Sequence, residues 1–157
     1  MKKIFLTLVF IAVMIIPVFA QETGKGCIIG NIVLGGSGII SEGYNTGFFY
    51  TGFDIDLVSV EGIQITFGHI VNISMKIGVF QNFYPGLGYH FVKDKYHIGG
   101  SLILIPDGNM DGLIGIKANG GYFFTKNLGI STNIIFAHGV MNQYMLLSGG
   151  MGLTIRL

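Results

Sequence analysis

The feature that most restricts this chain is a period of two that recurs along its length. From Ile63 the odd positions read Ile63, Ile65, Phe67, then Val71, Ile73, Met75, Ile77 and Val79. Between them stand Gln64, Thr66, Gly68, Asn72, Ser74, Lys76 and Gly78. The pattern returns at Ile114, Ile116, Ala118 and Tyr122, and again at Leu128, Ile130, Ile134 and Phe136. Successive side chains of a strand point to opposite faces, so each segment reads as a strand with one apolar face and one small or polar face. Past Ala20 every apolar run is interrupted before the ~20 residues that a membrane helix needs. With half of its residues apolar and 11% charged, the chain is also too apolar to be disordered. An all-β domain remains.

Two all-β architectures alternate in this way, and their polar faces differ. A soluble sandwich turns that face to bulk water and covers it with Lys and Glu. Here it carries Gly, Ser, Thr and Asn with few charges, which suits the crowded lumen of a narrow barrel. The apolar face is free of charge, as lipid requires, since Arg or Lys at mid-bilayer costs roughly 2–4 kcal/mol. By parity Asp54, Asp56, Lys76, Lys117 and Arg156 all fall on the inner face. The two acids are expected to pair there with the three bases and plug the lumen. His69 is the one awkward residue, on the apolar register. Parity also sends Ile116 to lipid and Lys117 to the lumen, so Ile116→Arg is expected to harm insertion more than Lys117→Ser.

The chain begins Met1-Lys2-Lys3, is almost wholly apolar from Ile4 to Ile16, and reaches Pro17-Val18-Phe19-Ala20 before Gln21. A basic start, a short apolar core and a small residue at the cleavage point make an export signal. Residues 1–20 are therefore expected to be removed, leaving 21–157 as one barrel domain. An uncleaved anchor helix is the rival reading, although the apolar core is short for a span. Without 1–20, seven Lys and Arg stand against eight acids, a balance that gives no electrostatic case for nucleic acid. The single cysteine, Cys27, allows no intramolecular disulfide and reads as a small residue of the first strand. At the other end, Leu153, Ile155 and Leu157 alternate with Thr154 and Arg156 to the last residue.

Turn chemistry divides the chain into eight strands: 27–35, 47–58, 62–80, 86–92, 96–105, 113–124, 128–137 and 144–157. The connections at 59–61, 93–95 and 125–127 are tight and polar, whereas those at 36–46, 81–85, 106–112 and 138–143 are longer. Long and short alternate, as in up-and-down barrels of the outer membrane, with short turns on the periplasmic side. The 62–80 segment is long for one crossing, where about 9–11 residues suffice, and a break near His69-Ile70-Val71 is the alternative. Phe48, Phe49, Phe83, Tyr84, Tyr96, Tyr122 and Tyr144 lie near strand ends, where amphipathic rings favour the water–lipid boundary.

The chain resembles the small eight-stranded bacterial outer-membrane β-barrels of the OmpA-domain and OmpX type, over 21–157. The resemblance implies an eight-stranded antiparallel up-and-down transmembrane β-barrel. Its sharpest element is the C-terminal assembly signal that the barrel insertion machinery reads. That signal runs polar, any, Gly, any two, apolar, any, terminal aromatic. Gly152, Ile155 and Leu157 fill its glycine and apolar places, while Gly150 stands for the polar residue and Leu157 replaces the aromatic. The segment Tyr122-Phe123-Phe124-Thr125-Lys126-Asn127-Leu128-Gly129 resembles the final periplasmic hairpin of such barrels. The implied partners are outer-membrane lipid and the insertion machinery. Fold alone implies no activity.

Catalytic and metal patterns are absent from the sequence. His69, His90, His97 and His138 have no close ligand spacing. His90 and His97 flank the 93–95 turn and are placed to approach across a hairpin, without carboxylates or cysteines around them to complete a metal set. A lipid-modifying barrel enzyme needs a serine within hydrogen-bond reach of its histidine. His138 has no serine at a matching place, Ser148 being on the next strand. The Gly35-Gly36-Ser37-Gly38 and Gly99-Gly100 clusters do not join a strand to a helix, as phosphate loops do. Neither a cofactor nor a metal is expected. The leading reading is a non-enzymatic outer-membrane barrel with a plugged lumen and a membrane-structural or surface-recognition role. A soluble periplasmic barrel for a small apolar ligand and a lipid-modifying enzyme are the alternatives.

Overall fold

The computed structural model describes residues 26–41, 44–74, 78–106, 112–139 and 144–157. These form eight strands: β1 Cys27–Ser41, β2 Tyr44–Val58, β3 Ile63–Ser74, β4 Gly78–Lys93, β5 Tyr96–Ile105, β6 Leu113–Phe123, β7 Leu128–Gly139 and β8 Met145–Arg156. Each strand pairs antiparallel with the next, and β8 pairs with β1, so the sheet closes into a barrel.

The stagger of the barrel follows from its pairs. From Ile29 the partners run Asp56, Thr66, Gly86, Ile103, Gly115, Ala137 and Leu146, and return to β1 at Ile39. One circuit therefore climbs ten residues along β1. Eight strands with that shear tilt by about 40° and set the backbone at a radius of roughly 8 Å, from ordinary strand rise and spacing. Such an interior is filled by side chains.

Every second residue of every strand points outward. Outward Ile32, Leu87, Ile98, Leu102, Ile116, Ile134 and Leu153 are among the exposed large apolar residues. Apart from Lys93, the last residue of β4, no Asp, Glu, Lys or Arg lies on the outward register of the strands. No helix among the described residues is long and apolar enough to cross a membrane, and a barrel crosses with strands instead.

The strand ends depart from the sequence reading in three places. The glycine-rich 36–38 segment is not loop: Gly36 pairs with Phe49 and Gly149, and Gly38 with Gly47 and Leu147, so β1 continues to Ser41. Pairing on both sides compensates for weak strand propensity. The 62–80 crossing ends at Ser74, and the 78–80 stretch opens β4. The expected connection at 81–85 is strand, paired to β3 from Gln81↔Val71 to Pro85↔Phe67. Pro85 misled because it interrupts only one ladder. His90 N–H donates to Gly62 in the β3 direction, so odd residues of β4 face β5, and the β4–β5 ladder stops at Gly86↔Ile103, beside the proline that has no hydrogen to give.

Two of the three tight connections show their local causes. In the first, Ser59 N–H donates to Ile63 O, Gly62 N–H donates to Ser59 O, and the Ser59 hydroxyl donates to Glu61. Gly62 has φ 88°, a conformation that costs a side-chain-bearing residue. In the last, the Thr125 hydroxyl accepts from the N–H groups of Asn127 and Leu128. The expected boundary aromatics divide. Phe49, Tyr96 and Tyr122 face outward, and the last two meet edge to face at 5.2 Å between centroids. Phe48 and Tyr84 turn inward and are buried, and Tyr144 packs against the core. The export signal read in 1–20, and Lys76, lie outside the described residues.

Candidate functional site

The barrel interior has an apolar layer and a polar layer, with buried Ile29, Val58 and Phe123 at the tight-turn mouth. Nearer the end with the 75–77, 106–112 and 140–144 connections, Val33, Tyr50, Ile70, Tyr84, Ile103, Ile105, Leu113, Ile135, Ala137 and Leu146 form one apolar cluster. Nearer the tight turns lie Asn31, Asp54, Asp56, Gln64, His90, His97, Lys117, Asn119 and Asn133, all buried. The order holds on each strand that supplies both: Asn31 then Val33, Asp54 then Tyr50, Thr66 then Ile70, His90 then Tyr84, His97 then Ile103, Lys117 then Leu113, Asn133 then Ile135. Buried Asn72 and the Ser37–Ser148 hydroxyl pair, 2.8 Å apart, are polar insertions at the apolar level.

Lys117 organises the polar layer. Its Nζ is 2.9 Å from Asp54 Oδ1 and 3.1 Å from Asp56 Oδ1, and the lysine is 1% exposed. Asp56 Oδ1 also accepts from Gln64 Nε2 and Thr66 Oγ1, each at 2.7 Å, and its Oδ2 accepts from Asn119 Nδ2 at 2.7 Å. Asn31 Nδ2 donates to Asp54 Oδ1 at 2.7 Å. Ionised groups persist away from water only when paired and hydrogen-bonded, and here β1, β2, β3 and β6 each contribute. His90 Nε2 and His97 Nδ1 lie 3.0 Å apart, and His90 Nδ1 is 3.8 Å from Asp56 Oδ2.

Of the five charges expected on the inner face, the structure brings together Asp54, Asp56 and Lys117. Arg156 stands apart at the tight-turn mouth. Its guanidinium donates to Lys126 O from Nε and Nη2, at 3.0 and 2.7 Å, and lies 4.5 Å from the Phe123 ring centroid. The long side chain reaches the carbonyl beside its own strand end rather than the acids deeper in the lumen. The C-terminal residues fall elsewhere again. Ile155 and Leu157 are outward and exposed, and Leu157 exchanges backbone hydrogen bonds with Ile28 at 2.9 and 3.1 Å. A Cβ at Gly152 would collide with the backbone of Ile32, so a glycine there lets β8 close on β1.

The two histidines, Asn31 and the carboxamides around Asp56 carry more of the network than the sequence reading allotted to them. Their inner-register parity was the available signal for the carboxamides. The signal for the histidines was their symmetric placement about the 93–95 turn. Each imidazole also faces a glycine across its ladder, in the pairs His90↔Gly99 and His97↔Gly121. Among the described residues, no group of three or more His, Cys, Asp or Glu is placed to hold a metal ion. His69 points outward, with its ring 4.2 Å from Phe83 and 5.5 Å from Phe53 between centroids. Two aromatic neighbours thus flank the one polar ring on that part of the apolar surface. His138 is outward and exposed while Ser148 is inward and buried, so they face opposite sides of the wall.

The architecture has solved counterparts. Ail, the attachment invasion locus protein of Yersinia pestis, crystallised with the heparin analogue sucrose octasulfate, superposes with a TM-score of 0.63 at 10% identity, over 85% of this chain and 99% of that one. Neisserial surface protein A gives 0.62 at 9% identity, over 83% and 96%. The N-terminal β-barrel domain of Pseudomonas aeruginosa OprF gives 0.51 at 14%, over 85% and 98%. This chain has the fold of the small outer-membrane β-barrels. No protein-family model matches the sequence, and no curated protein matches it.

Proposed function

We propose that this protein is a non-enzymatic integral β-barrel of the bacterial outer membrane, inserted by the barrel insertion machinery, with a membrane-structural or surface-recognition role. The observation that carries the reading is the inversion of polarity across the wall. Charges and most carboxamides are buried inside, while the outward register of the described strands is mostly Ile, Leu, Phe, Tyr and Met, with a few polar residues such as His69, Gln81 and His138 and one terminal lysine, Lys93. A soluble barrel that binds an apolar ligand would have the opposite arrangement. Gly152, Ile155 and Leu157 are proposed as the assembly signal, with the tight turns on the periplasmic side.

The lumen is proposed to be closed. The apolar cluster around Tyr50, Ile70 and Ile135, with the Lys117 network nearer the tight turns, supports that reading. The connections at the end opposite the tight turns, of which only 106–112 and 140–144 remain longer than a tight turn, form the outer surface in this reading. By sequence they carry Glu42, Lys76, Asp107 and Asp111. That balance does not suit a sulfated polyanion of the kind found in the Ail crystals. A histidine–serine hydrolase is disfavoured by the opposite facing of His138 and Ser148. The test is fractionation of cells followed by electrophoresis. The protein is expected to resist carbonate extraction, to require detergent, and to migrate faster unboiled than boiled, because a closed barrel leaves no free edge. Release by carbonate would overturn the reading.

A further inference from the structure

We infer that the His90–His97 pair is a proton-binding site beside the tight-turn mouth of the barrel. The first reason is the charge of the polar layer. Asp54 and Asp56 are 2% and 0% exposed, and among the described residues Lys117 is the only cation within reach of both. With both acids ionised, the layer carries one uncompensated negative charge in a setting that penalises it. One added proton brings the layer to neutrality.

The second reason is that the imidazoles are held for this task. The His90 Nε2 to His97 Nδ1 contact of 3.0 Å contains one hydrogen when both rings are neutral. Asp56 Oδ2, 3.8 Å from His90 Nδ1, favours a hydrogen on that nitrogen. His97 Nδ1 then donates to His90 Nε2, and His97 Nε2 is left as the ring nitrogen without a hydrogen; both it and His90 Nδ1 are buried without a hydrogen-bond partner. An incoming proton bonds to His97 Nε2. Transfer of the Nδ1 hydrogen across the 3.0 Å contact then moves the positive charge to His90, beside Asp56, with no other bond broken. Room for the rings is built into the ladder. A Cβ at Gly99 would stand 2.6 Å from His90 Nδ1, and one at Gly121 would collide with His97 Nε2.

The third reason is location. A cavity of about 200 Å³ at the tight-turn end is lined by Cys27, Val58, Ser59, Tyr89, His90 and Val92, so it reaches the His90 side of the pair, and His97 lies one 3.0 Å contact beyond. The other groups that face the pair are of both signs. Asp54, Asp56 and Lys117 lie on its inner side, Cys27 and Tyr89 line the cavity with His90, and Arg156 and His97 both pack against the Phe123 ring. The elements β3 and β7 present only neutral polar groups at this level.

The experiment is ¹⁵N-histidine NMR of the folded full chain in detergent micelles across a pH series, with His69 and His138 as internal references. His90 and His97 are expected to take up one proton between them in a single shared step. Asp56→Asn should move that step about one pH unit towards acid, a tenfold loss of proton affinity. Asp54→Asn, which removes the same charge farther from the rings, should move it less. His97→Gln should leave His90 with an unshared step at a different pH. Two independent steps, no uptake by either ring while the barrel stays folded, or equal shifts in both Asn variants would overturn the site. If Asp56→Asn fails to fold, the wild-type and His97→Gln spectra still decide. The outcome does not depend on which membrane face the mouth occupies, so failure here leaves the outer-membrane reading standing, and the reverse also holds.

Discussion

The phenol of Tyr84 lies over Gly68, its cross-strand partner on β3, so that a Cβ at residue 68 would collide with the hydroxyl end of the ring. The tyrosine is 2% exposed and belongs to the apolar layer. Gly68→Ala should therefore displace the ring and cost about 1–3 kcal/mol, as overpacking of a filled core does. The readout is the temperature at which the unboiled gel band converts to the slow one. Gly68→Ala combined with Tyr84→Val should recover part of the loss, because the two changes share one space. An unchanged transition in Gly68→Ala would show that the ring does not rest there.

Lys117→Met should destabilise the barrel by roughly 3–5 kcal/mol, the usual effect of removing one partner from a buried ion pair. Two carboxylates would then face each other without a counter-charge. The comparison is Ile116→Arg, which puts a charge on the outward face at roughly 2–4 kcal/mol if near mid-bilayer. Parity alone ranks the loss of Lys117 as the milder change. Its contacts with both aspartates predict that the two losses are at least comparable. Urea unfolding in lipid vesicles, followed by tryptophan-free methods such as circular dichroism, measures both. A Lys117→Met barrel as stable as the wild type would mean that the network contributes little.

Conductance separates the two luminal layers. Ile105 and Ile135 are fully buried, and Leu113 is 4% exposed, all in the apolar layer. Replacing the three together with Ser should let water thread the outer half and produce steady current steps in planar bilayers. The wild-type barrel should give none. Lys117→Met alone should not open a pore, since the apolar layer stays intact. Equal conductance of wild type and triple variant would refute a seal at that level.

Removing residues 153–157 should block insertion. Those residues include the pairs Ile32↔Leu153 and Gly30↔Ile155 with β1, and Ile130↔Leu153 with β7. Without them β1 and β7 keep open edges, which the hydrocarbon core does not tolerate. Protease protection in intact cells reads the inserted fraction. Leu157→Phe should insert at least as well as the wild type. Normal insertion of the truncated chain would remove both the closing role of β8 and the assembly signal.

Much of this was legible in the sequence because alternation is a local property. The run from Ile63 to Ile73 fixes which side chains face outward whatever partner β3 takes, and it put Asp54, Asp56 and Lys117 on one face before any strand was paired. The eight-strand count and the tight turns at 59–61, 93–95 and 125–127 are likewise written in short stretches of chain. Strand ends are not local. Gly36 and Gly38 read as loop until neighbours on both sides hold them, and Pro85 reads as a break until the ladder on one side alone proves to stop there. Meetings across the lumen are less local still. Lys117 reaches Asp56 across 61 residues of sequence, and Arg156, on the same inner register, turns instead to Lys126. Parity determines the face of a side chain. Its height in the lumen, and hence its partner, depends on the ten-residue stagger that arises only when β8 closes on β1.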